Sequence, residues 1–324
     1  MTDTLDLDGL QRLLWNFAAH RVITVSGRTG ILNVLAGETA APDEVAATLG
    51  LDPVATGKVI RALCAQGIVA PDGDSYRLIP ALRAHFRGDD NDFGPFIDHI
   101  HTMYESWGDN LEPWLRGGEW SVAPRTPEVA RRFGAAMKAI GGQMARRVAE
   151  TLDLEGVRTM LDVGGGWGQF AKAFREANPG IDATVLDIPR VAEQAPASLD
   201  GTAHEGRISW IAGDYLESDY GSGYDLVLLA NILHQEHPPE ASEIIRRSAS
   251  AVAPGGRVVI VDFAIDDAKS EHVLGTLFAI NMRSFGDTYS EPELRGWMEN
   301  SNLVDIERID LGTDRWIISG SIQS

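Results

Sequence analysis

Three features of the sequence predict an α/β protein: a doubly wound parallel sheet of seven strands, preceded by an N-terminal all-helical winged-helix domain whose wing is a short hairpin. From Thr159 onward, short apolar runs alternate with helical patterns, as in parallel strands joined by crossover helices. The first of those runs, Met160-Leu161-Asp162-Val163, leads straight into the glycine-rich turn Gly164-Gly165-Gly166-Trp167-Gly168. Before residue 90, apolar residues recur instead at helical spacing and end in a helix-turn-helix pattern with a hairpin behind it.

The N-terminal zone, 1–90, begins with helices marked by Leu10, Leu13, Leu14 and Phe17, then by Ile31, Leu32 and Leu35. Pro42 to Ala47 starts a short helix, Gly50-Leu51-Asp52-Pro53 turns, and Val54 to Gln66 forms a second helix closed by Gly67. Ile68 to Leu78, around the Asp72-Gly73 turn, reads as the two-stranded wing. Winged helices often bind DNA, but this zone holds 11 acids against 8 bases, and the second helix offers only Lys58 and Arg61. Packing against a second copy of the chain is the better use for its long apolar helices. The chain as a whole carries 47 acids against 28 Lys and Arg, a formal charge of -19, which opposes attraction to nucleic acid or anionic lipid.

The single cysteine, Cys64, excludes an intrachain disulfide and fits a reducing cytoplasm. The start of the sequence has no basic segment followed by an apolar one, and no run of about 18 apolar residues occurs, so an unexported protein away from the membrane is expected. Residues 91–155 are helical and aromatic: Phe93, Phe96, Tyr104, Trp107, Trp114 and Trp120 cluster, followed by Phe133 and Met137. His99 and His101, two apart, point in different directions on a helix, and His237 precedes two prolines, so no metal site is expected.

Residues 156–324 form the sheet domain, with strands expected at 159–163, 183–187, 207–212, 224–230 and 257–263 and a closing pair at 303–309 and 314–319. Intervening helices begin near Trp167, Pro189, Pro238 and Ser270. Gly164, Gly165 and Gly166 allow a ligand close to the backbone, and the preceding Asp162 disfavours a pyrophosphate while suiting an ammonium or sulfonium cation. Asp187, at the tip of the second strand, is placed to accept both hydroxyls of a ribose. After the third strand, Asp214 can meet an adenine amino group and Tyr215 can pack on its ring. His234 follows the fourth strand at the edge where open α/β sheets bind ligands.

Leu161 to Gly168, Leu186-Asp187-Ile188-Pro189, Gly213-Asp214-Tyr215, Asn231-Ile232-Leu233-His234 and Ala253-Pro254-Gly255-Gly256 resemble, in that order, the motifs of Rossmann-like class I methyltransferases. The chain is most similar to the O-methyltransferases shared by plant phenolic metabolism and bacterial natural-product tailoring. The resemblance implies S-adenosyl-L-methionine as cofactor, bound in part by Asn231, and a homodimer formed through the winged helix. It also implies a small cyclic or aromatic acceptor, with 91–155 as linker and lid. His234 matches the family's general base, and Asp262 matches an acid that orients it. Gln235 and Glu236 stand where Asp and Trp are common, so Glu236 is a candidate substitute carboxylate, while Thr288, beside Asp287, aligns with a second family acid. Ala230 replaces a lysine found in plant members. Asn281 and Met282 would form one acceptor wall, Phe133 and Met137 the other, with Tyr104 and Trp107 as lid. Two rival readings are the same fold recruited for decarboxylation, hydroxylation or cyclisation, with the cofactor as a fixed charge, and a winged-helix regulator.

Overall fold

The computed structural model describes residues 5–88, 92–122, 126–269, 271–283, 286–312 and 314–323. The acidic opening of the sequence, the boundary drawn at 90 and 91, and Ser270 as a helix start lie outside the described residues. The chain gathers into two compact units, Met1–Ile140 and Gly141–Ser324.

The first unit contains helices α1 (Leu7–Leu14), α2 (Asn16–Arg28), α3 (Ile31–Gly37), α4 (Pro42–Leu49) and α5 (Pro53–Ala65). Strands β1 (Val69–Asp72) and β2 (Ser75–Leu78) pair antiparallel as the wing, followed by α6 (Pro80–Arg83) and α7 (Gly94–Leu115). The helix-turn-helix forms where its punctuation places it. Asp52 caps α5 by accepting the Ala55 amide at 2.7 Å, and Pro53 occupies the first turn, where its missing N–H costs nothing. Leu32, Leu35, Val45, Ile60, Leu63 and Leu78 are fully or almost fully buried and form the core of this unit. Cys64 is half-buried and free. Helix α8 (Pro127–Thr151) follows.

The second unit is built on β3 (Thr159–Val163), α9 (Gln169–Ala177), β4 (Asp182–Asp187), α10 (Pro189–Gln194), β5 (Ile208–Ala212), β6 (Tyr224–Ala230), α11 (Pro238–Ala251), β7 (Val252–Phe263), α12 (Val273–Met282), α13 (Glu291–Asn300), β8 (Val304–Asp310) and β9 (Arg315–Ser321). The strands form one seven-stranded sheet in the order β5-β4-β3-β6-β7-β9-β8, with only the β9 pairings antiparallel. Successive strand residues feed opposite faces. Leu161, Val163, Val227, Leu229, Val258 and Ile260 pack under Ile244 and Ile245 of α11 and Leu294 and Met298 of α13. Met160, Val185, Leu226, Leu228, Val259 and Val261 pack under Phe170 and Phe174 of α9 and Val148 of α8. Burial on both faces explains why β3, β6 and β7 read as nearly continuous apolar runs.

β7 begins five residues earlier than expected, because Val252 already pairs with Tyr224 before an irregularity that resumes at Arg257 opposite Leu226. The helix expected near Ser270 is α12, whose described start is Val273. β3 has β4 on one side and β6 on the other, so the strand order reverses there, and the loops after β3 and β6 open at the carboxyl edge where open sheets bind ligands.

Candidate active site

The turn after β3 takes left-handed backbone angles at Gly164 (φ 67) and Gly166 (φ 57), which side chains resist. A Cβ on Gly165 would lie 2.3 Å from the Asp162 carboxyl carbon, so glycine there lets the loop fold down onto the acid. Asp162 itself is fully buried and has no side-chain hydrogen-bond partner among the described residues, with only the Ala171 amide drawing its proton affinity down. Burial, then the nearby Asp187 charge, raises it to about 8, so Asp162 is a neutral acid at pH 7 in the ligand-free chain. Asp187, at the end of β4, accepts the Gly166 amide on Oδ2 at 2.8 Å and the Ile188 amide on Oδ1 at 2.8 Å. Burial raises its proton affinity against those two amides. Trp210 Nε1 donates to the Gly166 carbonyl at 3.0 Å and fixes the loop from β5. Two acids under a glycine turn, one of them fully buried, fit a ligand that carries positive charge and ribose hydroxyls.

After β5, Asp214 is exposed and accepts the Leu216 amide at 2.8 Å. Tyr215 donates its hydroxyl to Glu236 Oε1 at 2.5 Å, and burial, followed by that carboxylate, pushes the phenol up. The Glu236 carbonyl also accepts the Tyr289 hydroxyl. The substitute carboxylate expected of Glu236 at the base is therefore committed to Tyr215, and the acid that meets the imidazole comes from β7.

That pair is His234 with Asp262. His234 lies in a short 3-10 turn after β6 and is 4% exposed; Asp262, near the end of β7, is 6% exposed. Their Nδ1 and Oδ1 are 2.6 Å apart, and the same oxygen accepts the Phe263 amide at 2.8 Å. Burial pushes Asp262 up, but the His234 charge and hydrogen bond, Arg315 and the Phe263 amide outweigh it and hold the acid below its ordinary value. An ionised carboxylate only accepts, so the hydrogen between the two is carried on Nδ1. The imidazole sits edge-on to Phe263 (5.4 Å) and Phe278 (4.9 Å), whose rings stack at 3.9 Å.

Asn231, at the end of β6, has a left-handed backbone (φ 57), a strained state for a non-glycine residue. Its Oδ1 accepts from Arg315 at 2.9 Å. Arg315 was not legible as a site residue: it is one charge before the apolar run Trp316-Ile317-Ile318, and only the register opposite Phe263 reveals it. Thr288 is buried and donates to the Gly275 carbonyl at 3.3 Å, so no carboxylate stands there; Asp287 pairs with Lys269 at 2.8 Å.

The acceptor candidates divide between the two units. In the second, Asn281 and Met282 are half-buried on α12. In the first, Tyr104 stacks on His20 at 5.0 Å under Arg21, Trp107 meets Trp120 edge-on at 6.2 Å, and Phe133, 52% exposed, takes the edge of His99 at 5.5 Å. Met137 is half-buried. His99 and His101 diverge, the latter towards Arg21 and Glu105. No helix among the described residues is long and apolar enough to cross a membrane.

A family model described as the O-methyltransferase domain matches residues 110–298, more than half of the chain. The chain is 28% identical over 307 residues to the 3-hydroxy-5-methyl-1-naphthoate 3-O-methyltransferase of Streptomyces sahachiroi, covering 89% of this chain and 87% of that protein. It is 27% identical to the O-demethylpuromycin-O-methyltransferase of Streptomyces alboniger, covering 90% and 82% respectively. Its fold matches human N-acetylserotonin methyltransferase, solved in complex with S-adenosylmethionine, with a TM-score of 0.83 and 20% identity over all of both chains. The sheet, the strand-end loops and the family match together show that the chain belongs to the O-methyltransferase domain family and is an S-adenosylmethionine-dependent O-methyltransferase.

Proposed function

We propose that the chain methylates a hydroxyl of a small aromatic or polyketide-like secondary metabolite, with His234 as general base. The observation that carries this reading is the buried His234–Asp262 pair on the loop beside the glycine turn. When bound, the cofactor supplies an electrophilic methyl group on a sulfonium. Asp187 would hold its ribose hydroxyls, Asp214 and Tyr215 its adenine, Asp162 and the Gly164 to Gly166 amides its charged portion, with Asn231 at the edge of the site. His234 Nε2 takes the acceptor proton, and Asp262 keeps the ring in one tautomer and balances the imidazolium that results. Phe263 and Phe278 would hold the ring in place edge-on to their stacked faces. Asn281 and Met282 would align the acceptor from α12. Alignment contributes much of the acceleration in such a displacement.

We further infer a homodimer, supported by the apolar residues Leu13, Leu14, Trp15 and Phe17, each more than half exposed on and beside α1. Cytoplasmic location and the absence of nucleic-acid and membrane partners rest on the single cysteine and the acidic balance.

The test is incubation with methyl-labelled cofactor and a panel of hydroxylated arenes, enols and aryl acids. Labelled product and S-adenosylhomocysteine are expected, and both should fall about 10²-fold or more in His234→Ala while cofactor affinity holds. Unchanged turnover in that variant removes His234 from the chemistry. Conversion of an acceptor without label turns the reading to the recruited, non-methylating alternative.

A further inference from the structure

Arg315 is an unusual neighbour for a catalytic base. It starts β9, antiparallel to β7, and that register sets it opposite Phe263, one residue beyond Asp262. Its guanidinium carbon lies 3.2 Å from the centre of the Phe263 ring, one guanidinium nitrogen donates to Asn231 Oδ1 at 2.9 Å, and the same nitrogen is 3.9 Å from Asp262 Oδ1. Its side chain is 15% exposed. Burial lowers it to about 10, against the pull of Asp262 and Asp314, so it is a cation throughout the neutral range.

The neighbouring acids each have another contact. Glu236 is bonded by Tyr215, Asp287 by Lys269 at 2.8 Å, and Glu293 lies 3.4 Å from the same lysine. Asp314 lies 3.7 Å from His272 Nδ1, and Thr288 brings no charge. Asp262 of β7 is thus the acid on the imidazole, and Arg315 of β9 is the cation beside that acid. A carboxylate alone strengthens the hold of an imidazole on its second proton; a fixed cation beside that carboxylate cancels part of the effect.

We propose that Arg315 is a positioning residue for this reaction: its guanidinium holds Asp262 as an anion aligned on His234 and loosens the grip of the pair on a proton, matching the site to a hydroxyl more acidic than a simple phenol. Enols and phenols conjugated to a carbonyl group are that class. Asn231 contributes by fixing the guanidinium, and its left-handed backbone is what turns its side-chain oxygen to that task. The inference rests on the reading of His234 as the base.

The experiment is a histidine-selective NMR titration of the full chain saturated with S-adenosylhomocysteine, with the His234 signals assigned by their loss in His234→Ala. In Arg315→Gln the pH at which the His234 ring titrates should rise by about 1 unit, and the acid limb of the pH–rate profile on the hydroxylated panel should follow it. Arg315→Lys, which keeps the charge, should restore the original midpoint to within a few tenths of a unit. Should Arg315→Gln not fold, Arg315→Met keeps the apolar contact with Phe263 and is read in the same way. An unmoved or lowered midpoint in a folded neutral variant overturns the proposal, since a merely structural arginine would leave it in place. Retained turnover in His234→Ala would instead overturn the base assignment, and the two failures are separable because the titration needs no catalysis.

Discussion

Two histidines, one in each unit, are almost equally buried and each meets a carboxylate, yet their surroundings differ. His101, in the middle of α7, is 5% exposed; Arg21 meets its Nδ1 at 2.9 Å, while Arg28 and Glu105 both reach its Nε2. His234 is 4% exposed and gives only Nδ1, to Asp262; Nε2 makes no hydrogen bond among the described residues. Burial and a carboxylate are common to both. What separates them is an unused lone pair and a place at the carboxyl edge of the sheet, where ligands bind. The partner acids differ too: the Glu105 side chain is exposed, whereas Asp262 is buried and held by a backbone amide.

The largest expected effect follows from that contrast. His234→Ala should lower kcat by about 10²-fold or more, while His101→Ala should leave kcat within a few-fold and lower the melting temperature, since Arg21 and Arg28 lose their acceptor. Equal losses of kcat in steady-state assays would break the comparison. Next, Asp262→Asn should cost about 10- to 100-fold in kcat by freeing the tautomer, whereas Glu105→Gln should leave kcat unchanged; an ineffective Asp262→Asn would mean that packing alone holds the ring.

Asp162 sharpens the picture from the cofactor side. Its pKa rises from 3.8 to about 8 on folding, so between those values the folded chain holds a proton that the unfolded chain has released. That contribution to ligand-free stability declines as pH rises across this window and levels off above it. Asp162→Asn should flatten the slope of melting temperature against pH and weaken S-adenosylhomocysteine binding in calorimetry; an unchanged slope would place the ionisation elsewhere. Smallest of all, Tyr215→Phe removes one hydrogen bond to Glu236 and should cost about 1 kcal/mol in chemical denaturation, with a few-fold change in kcat.

Much of this was legible in the sequence. β3 and β6 fall where expected, because burial on both faces makes them mostly apolar, with Asp162 and Asp225 as the charged exceptions. His234 with Asp262 was likewise readable, since each ends a strand and strand ends converge at one edge. The early start of β7 was hidden by Pro254-Gly255-Gly256, which reads as a turn while the chain is already paired at Val252. Glu236 was misplaced for a related reason: its position in the chain is beside the base, but its direction is set by a tyrosine 21 residues earlier. Arg315 is the clearest limit. Its role exists only through antiparallel register with a strand more than 50 residues upstream, and no local pattern records register.

The place of β9 bears on how the enzyme comes into being. It is made after both β7 and β8, yet it lies between them and sets a cation beside Asp262. On the ribosome, a nascent chain can assemble the cofactor loops well before residue 315 emerges, but the sheet stays open beside β7 until β9 inserts. Competence should thus arrive late and all at once, with that final insertion as the slow, non-local step.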